Sequence, residues 1–159
     1  MNITRRNLLA SPVACAAAAR IAPADFRRRL EGPICSAPTV YRKDFQLDHE
    51  GFRHILDTGV KAGCTVFSLT AGNNQYDRLT YDEIRQLTRT FIEGVKGRGL
   101  TIAATGNWWT GQAVDYARYA ASLGADAVQV MLPSSGDPEL LYAHFARVAG
   151  IGLPVVLHG

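Results

Sequence analysis

Lysine is scarce in this chain of 159 residues. Only Lys43, Lys61 and Lys96 occur, and arginine supplies the rest of the 17 basic residues. Cysteine is also sparse. Cys15, Cys35 and Cys64 form no CxxC pair and no metal-ligand spacing, which excludes a zinc ribbon and a disulfide framework. Cys35 and Cys64 lie in apolar surroundings and read as small buried hydrophobes. The four histidines (49, 54, 144 and 158) are scattered, so their spacing makes no zinc site. Neither GxGxxG nor GxxxxGK[ST] is present, which removes the nucleotide fingerprint and the P-loop. No cofactor is expected.

Basic charge is confined to one end. Through Arg29 there are six arginines against Asp25, a net of +5, which leaves −2 for the rest of the +3 total. A nucleic-acid partner needs clustered basic residues within the folded part, so none is expected. The basic end reads as a leader instead. Thr4-Arg5-Arg6-Asn7-Leu8-Leu9 opens an apolar run through Ala19, and Ala22-Pro23-Ala24 has the small-residue pattern of a cleavage site. The arginine pair resembles a twin-arginine signal, which exports folded proteins. The run is too short for a stable membrane anchor. Expected boundaries are a signal peptide over 1–24, a linker over 25–31 and a domain over 32–159. An exported, extracytoplasmic location follows if the leader acts.

From Gly32 onward a short apolar run, a polar loop, an amphipathic stretch and a glycine recur. Strands are expected at 34–40, 65–69, 102–105, 127–132 and 154–157, at the spacing of one βα unit. The second and fourth are apolar with little alternation, as in a parallel sheet buried on both faces. Phe52, Ile55, Leu56 and Val60 keep helical spacing, as do Ile84, Leu87, Phe91 and Val95, and Leu141, Phe145 and Val148. Asp48, the Thr80–Glu83 capping box, Thr110 and Asp137-Pro138 mark four helix starts. The class is α/β with a parallel sheet. Periodicity leaves a doubly wound sheet and a barrel equally open.

Three stretches resemble one family. The first runs from Gly106 through Asn107-Trp108-Trp109-Thr110-Gly111 to Gly124-Ala125-Asp126-Ala127-Val128. The second is Ser68-Leu69-Thr70-Ala71-Gly72 with Leu79-Thr80-Tyr81-Asp82-Glu83 behind it. The third is Leu132-Pro133, Leu140 to Phe145, and Leu153-Pro154-Val155-Val156-Leu157. Together they resemble the first half of the dihydrodipicolinate synthase / N-acetylneuraminate lyase family, over about residues 32–159. That resemblance implies a (β/α)8 TIM-barrel type fold, here its N-terminal portion of about five strands and four helices. A complete barrel of this type has roughly 250 residues. The chain therefore reads as part of a longer frame, with open edges at its first and fifth strands that associate or require the remainder.

The chemistry implied by the resemblance is class I aldol addition or cleavage. A lysine forms an imine with pyruvate or another 2-oxo acid, and the imine serves as electron sink. Thr70 matches the family threonine whose hydroxyl and N–H hold the substrate carboxylate, with Ala71 and Gly72 completing that loop. The family's second threonine is Ala71 here and its glutamate is Asn73. Losing one hydroxyl to a bound carboxylate costs about 1.5–3 kcal/mol. Ser134 and Ser135 stand where the family has a tyrosine pair, so Ser135 takes the proton-relay position with a shorter, less acidic side chain. Tyr41 and Tyr76 are alternative relays on nearby loops. The family's lysine belongs to a sixth strand, and none of the three lysines here matches it.

Each assignment has a plainer alternative. Thr70 can cap the next helix, Ser135 can be ordinary loop, and Trp108 and Trp109 can pack under a loop rather than wall a pocket. Two functions stay open: a Schiff-base lyase or synthase acting on a small 2-oxo acid, homo-oligomeric when full length, or a catalytically inactive barrel that binds a small acid or a partner.

Overall fold

A computed structural model describes residues 21–133 and 135–157. The arginine-led run, Cys15, Ser134 and His158 lie outside the described residues. Five strands form one parallel sheet in sequential order: β1 (Ile34–Ser36), β2 (Val66–Leu69), β3 (Leu100–Ala104), β4 (Ala127–Val130) and β5 (Val155–Leu157). Helices α2 (His49–Lys61), α3 (Tyr81–Val95), α4 (Thr110–Leu123) and α5 (Pro138–Ala149) connect them. A doubly wound sheet reverses its strand order at a switch point. The unbroken order here is that of an arc of a (β/α) barrel, which resolves what periodicity left open.

Alternation along the strands separates two faces. Phe67 and Leu69 of β2, Ala103 of β3 and Val128 and Val130 of β4 pack with Phe52, Leu56, Ile84, Phe91, Tyr116 and Val148 of the helices. Val66, Leu100, Ile102 and Ala127 face the other way, into a separate cluster. The apolar second and fourth strands are thus covered on both faces, as expected of parallel strands.

The cluster on the inner face has an unexpected fifth member. The last two residues of the expected leader and the start of the expected linker make a short helix, α1 (Pro23–Arg29), and its Phe26 is 5% exposed among the inward residues that begin β2, β3 and β4. Pro23 at the first turn and the Ala22 carbonyl, which accepts from Phe26 N–H, start the helix. Seven residues rich in arginine carry no amphipathic stripe, so periodicity does not reveal it. Helix α1 thus precedes the four α-helices expected within residues 32–159, all of which are present as α2 to α5.

Helix starts follow their capping residues. Asp48 Oδ1 accepts from Gly51 N–H at 2.9 Å, and Asp137 Oδ1 accepts from Leu140 N–H at 2.8 Å. Thr80 and Glu83 close a reciprocal box, with Glu83 Oε2 accepting from Thr80 N–H at 2.8 Å. Trp109 is the N-cap of α4 and gives no side-chain bond. Gly124 ends that helix at φ 93°, where only glycine is unstrained. Gly59 lets α2 approach the sheet: a methyl there would lie 2.9 Å from the Phe67 ring and 3.0 Å from Cys35 Sγ.

If Phe26 closes the N-terminal end of the arc, Phe26→Ala should lower unfolding free energy by about 3 kcal/mol in urea titration, the scale of a truncated core aromatic. A freely hanging α1 would leave the midpoint unchanged.

Candidate active site

Barrel chemistry belongs at the C-terminal ends of the strands, and there the loop after β2 is the most tightly specified. Asn74 is fully buried. Its Oδ1 accepts from Thr70 N–H at 2.8 Å, and its Nδ2 donates to the Ala37 carbonyl at 2.8 Å. Its own carbonyl accepts from Thr39 Oγ1 at 2.9 Å, and its N–H donates to the Thr70 carbonyl at 3.0 Å. One side chain thus ties the loop to the segment leaving β1. Asn73 adds a second tie, with Nδ2 donating to Ser36 Oγ at 3.0 Å and to the Ser36 carbonyl at 3.2 Å.

This clasp decides which groups in the loop are available. Thr70 N–H, expected to face a carboxylate, is taken by Asn74. Tyr76 N–H and Gln75 N–H donate to the carbonyls of Ala71 and Gly72, whereas the N–H groups of Ala71 and Gly72 meet no acceptor among the described residues. The Thr70 hydroxyl has one contact, Ser36 Oγ at 3.5 Å. Nothing lies within 4 Å of where a Gly72 side chain would begin. Ala71 turns its methyl onto the helix-side core. The Asn73 N–H likewise meets no acceptor among the described residues, so three successive N–H groups beside the Thr70 hydroxyl are left over, an arrangement that favours an anionic oxygen.

Ala71 and Gly72, next to Thr70, border a cleft of about 440 Å³ lined also by Tyr76, Asp77, Gly106, Asn107, Trp108 and Met131. Trp108 is its wall. The indole stacks on Tyr76 with centroids 5.8 Å apart and meets Tyr81 and Tyr116 edge-on at 5.5 and 5.3 Å. Beneath it, Tyr116 Oη lies 2.8 Å from Thr88 Oγ1 and 3.3 Å from Tyr76 Oη. Burial pushes the Tyr116 phenol up to about 12, and burial beside Tyr116 raises Tyr76 well above its ordinary range. Tyr76 thus packs in the cleft wall with its hydroxyl turned to Tyr116. Tyr41 does not line this cleft; its backbone is bridged to Leu47.

The end of β4 is held by a different set of bonds. Met131 N–H donates to Thr105 Oγ1 at 2.9 Å, and Asn107 Nδ2 donates to the Leu132 carbonyl at 2.9 Å. His144, 1% exposed, places Nε2 3.2 Å from the Met131 carbonyl and Nδ1 3.1 Å from Thr110 Oγ1. A neutral imidazole protonated on Nε2 satisfies both contacts, and burial holds its pKa below the ordinary 6.5. Ser135 follows this segment and is exposed. It borders a second, smaller cleft of about 290 Å³ with Trp109 and Leu140, on the far side of Trp108 from Ala71 and Gly72. Thr70 and Ser135 share an end of the barrel without sharing a cleft.

Each lysine lies away from this cleft. Lys61 ends α2 and Lys96 follows α3, at the opposite end of the arc, while Lys43 is exposed in the turn before α2. A roomier hollow of about 630 Å³ is also at that opposite end, where Arg28 is paired with Asp25 and Arg98 with Asp57.

Comparison with known proteins agrees with this geometry. The model of the dihydrodipicolinate synthetase family matches residues 29–159. The chain belongs to that family. It is 32% identical over 133 residues to 4-hydroxy-tetrahydrodipicolinate synthase of Ralstonia nicotianae, covering 82% of this chain and 45% of that protein. The corresponding enzyme of Pelobacter propionicus is 33% identical over 131 residues, with 80% and 45% covered. Among solved structures, dihydrodipicolinate synthase from Bacillus clausii superposes with TM-score 0.76 at 25% identity, over 83% of this chain and 46% of that one. YagE, a prophage protein of the same family from E. coli K12 solved in complex with pyruvate, gives TM-score 0.76 at 26% identity, with 80% and 44% covered. The chain thus spans less than half the length of these relatives.

Two consequences of the family site's construction are measurable. Asn74→Ala would strand Thr70 N–H and the Ala37 carbonyl, and should lower stability by about 3 kcal/mol in denaturant titration, since each orphaned buried group costs about 1–3 kcal/mol. His144 has a depressed folded pKa, so its contribution is present above about pH 6.5 and is lost as pH falls through the folded value. Unfolding free energy should fall on acidification more steeply in the unaltered protein than in His144→Gln. Parallel curves would contradict a buried neutral imidazole.

Proposed function

We propose that this chain supplies the carboxylate-binding half of a Schiff-base lyase or synthase that acts on pyruvate or another 2-oxo acid. The observation that carries the reading is the pair of open N–H groups at Ala71 and Gly72 beside the Thr70 hydroxyl. They are presented at the catalytic end of a barrel arc that belongs to this family. A substrate carboxylate accepts from these three donors, and the charge-assisted bonds orient the neighbouring 2-oxo carbon. The imine-forming lysine comes from a strand beyond β5, as the family's sixth strand implies. Imine formation releases water and gives a cation that accepts the electron pair of a breaking carbon–carbon bond; in the reverse direction it loses a proton from the neighbouring carbon, and the resulting enamine donates the pair that forms the bond.

One observation favours the alternative, a barrel that binds a small acid without turning it over. Ser135 occupies the relay position yet is exposed and separated by Trp108 from the carboxylate donors. A serine hydroxyl is also too weak an acid to replace a phenol directly. Self-association of the full-length protein is part of the same proposal. Its support is the apolar exposure of Trp109, Leu140 and Tyr142, which are 73%, 61% and 77% accessible. Export by the arginine-led leader is likewise proposed, on the sequence pattern of residues 1–24.

Borohydride reduction of the full-length protein in the presence of pyruvate should leave one reduced adduct on a lysine. Thr70→Val should weaken pyruvate binding about tenfold, the loss of roughly one charge-assisted hydrogen bond. Absence of an adduct, with pyruvate still raising the melting temperature, would establish the binding-only reading instead.

A further inference from the structure

The sequence spacing pairs neither Cys35 nor Cys64, but the fold brings both to one corner, where α2 ends against the first two strands. Gly59, in the last turn of α2, is the meeting point. A methyl there would lie 3.0 Å from Cys35 Sγ, and the Gly59 carbonyl accepts from Cys64 N–H at 3.0 Å. The sulfur carried by β1 and the residue that leads from α2 into β2 thus share one glycine. Both cysteines are half-buried free thiols packed on the helix-side core. Burial pushes the Cys35 thiol up first, and the charge of Cys64 and a hydrogen bond from it push it further.

The pair sits where the sheet is least secured. Strand β1 has three residues, pairs with β2 alone among the described strands, and leaves Ile34 54% exposed. Ser36, next to Cys35, accepts from Asn73 Nδ2 on both its hydroxyl and its carbonyl. Whatever holds Cys35 therefore also holds the strand end that anchors the loop after β2. The two thiols differ in access. Cys64 lies between exposed Gly63 and Thr65, in neither helix nor strand, whereas Cys35 lies under α2. A reagent arriving from solvent meets Cys64 first.

We propose that Cys35 and Cys64 are a redox-active pair that closes into a disulfide by exchange with a small-molecule disulfide such as oxidised glutathione, fastening β1 to the segment that enters β2. The Cys64 thiol gives up its proton, and the thiolate attacks the small disulfide, forming a mixed disulfide and expelling one thiolate. Cys35, deprotonated in turn, attacks the Cys64 sulfur and expels the second. The protein thiols lose two electrons and two protons, and the small disulfide is reduced to two thiols. A disulfide brings its Cβ atoms to about 3.8 Å, and the turn that carries Cys64 supplies the adjustment. The bond closes a loop that contains all of α2, which restricts the unfolded chain. An oxidising compartment, where the proposed leader would take the chain, favours the bond, but the inference rests on the two thiols alone.

The test incubates the folded full-length protein, Cys35→Ser and Cys64→Ser with oxidised glutathione. Each is then alkylated, digested with trypsin without reductant and read by mass spectrometry. The unaltered protein should yield the peptides of Cys35 and Cys64 joined, lighter than their sum by two hydrogens and separated by reductant. Cys35→Ser should instead keep glutathione on Cys64, because no second thiol displaces it. The oxidised unaltered protein should unfold in urea at a midpoint about 1 M above that of the reduced protein. Neither variant should show that difference. Free or separately glutathionylated Cys35 and Cys64 in the unaltered protein overturn the assignment. A joined pair whose midpoint is no higher than that of the reduced protein overturns it as well.

Discussion

The loop after β2 turns back on itself because one buried asparagine satisfies it from both sides. Asn74 accepts from Thr70 N–H and donates to the Ala37 carbonyl, so the ends of two adjacent strands share a single side chain. A carboxamide with no solvent contact loses heavily if any of these partners is removed, and the loop is correspondingly fixed. What the clasp leaves over is as important as what it binds. The N–H groups of Ala71 and Gly72 are left without an acceptor among the described residues, at two positions that line the cleft walled by Trp108, with the Thr70 hydroxyl beside them.

The rest of the arc supports that loop by layers. Apolar residues facing the helices hold the sheet, Phe26 fills the N-terminal end of the inner face, and the polar inner residues lie toward the catalytic end. The Trp108–Tyr76–Tyr116 stack fixes the cleft wall. His144 fixes the end of β4 through the Met131 carbonyl, and its burial disfavours the charged ring.

The architecture was legible wherever local chemistry is strong. Asp48, Thr80 and Asp137 cap the helices that their positions predict, and the parallel strands overlap the expected apolar runs, with β3 beginning two residues early at Leu100. Boundaries were less legible where tertiary bonds take over. The first strand was expected to reach residue 40, but it ends at Ser36. Pro38 has no N–H to add to a ladder, and Thr39 and Val40 instead bond to Asn74 and Asp48. Helix α1 was invisible because a single phenylalanine among arginines makes no stripe.

The site was read less completely than the fold. Thr70, Ala71 and Gly72 stood out through resemblance, but the neighbour that organises them, Asn74, did not. In sequence it is one more polar residue in a loop, and nothing local shows that a chain segment 37 positions away supplies its partner. Trp108 and Trp109, indistinguishable as neighbours, divide into a buried wall and a surface residue only once packing is known.

Amide hydrogen exchange by NMR on the full-length protein, with and without pyruvate, bears most directly on the claim that Asn74 reserves the Ala71 and Gly72 N–H groups for an anion. Without ligand, Thr70 N–H should exchange slowly while those of Ala71 and Gly72 exchange fast. Pyruvate should shift the Ala71 and Gly72 resonances downfield and slow their exchange, leaving Thr70 unchanged. Fast exchange at Thr70, or a pyruvate response at Thr70 and none at Ala71 and Gly72, would contradict it.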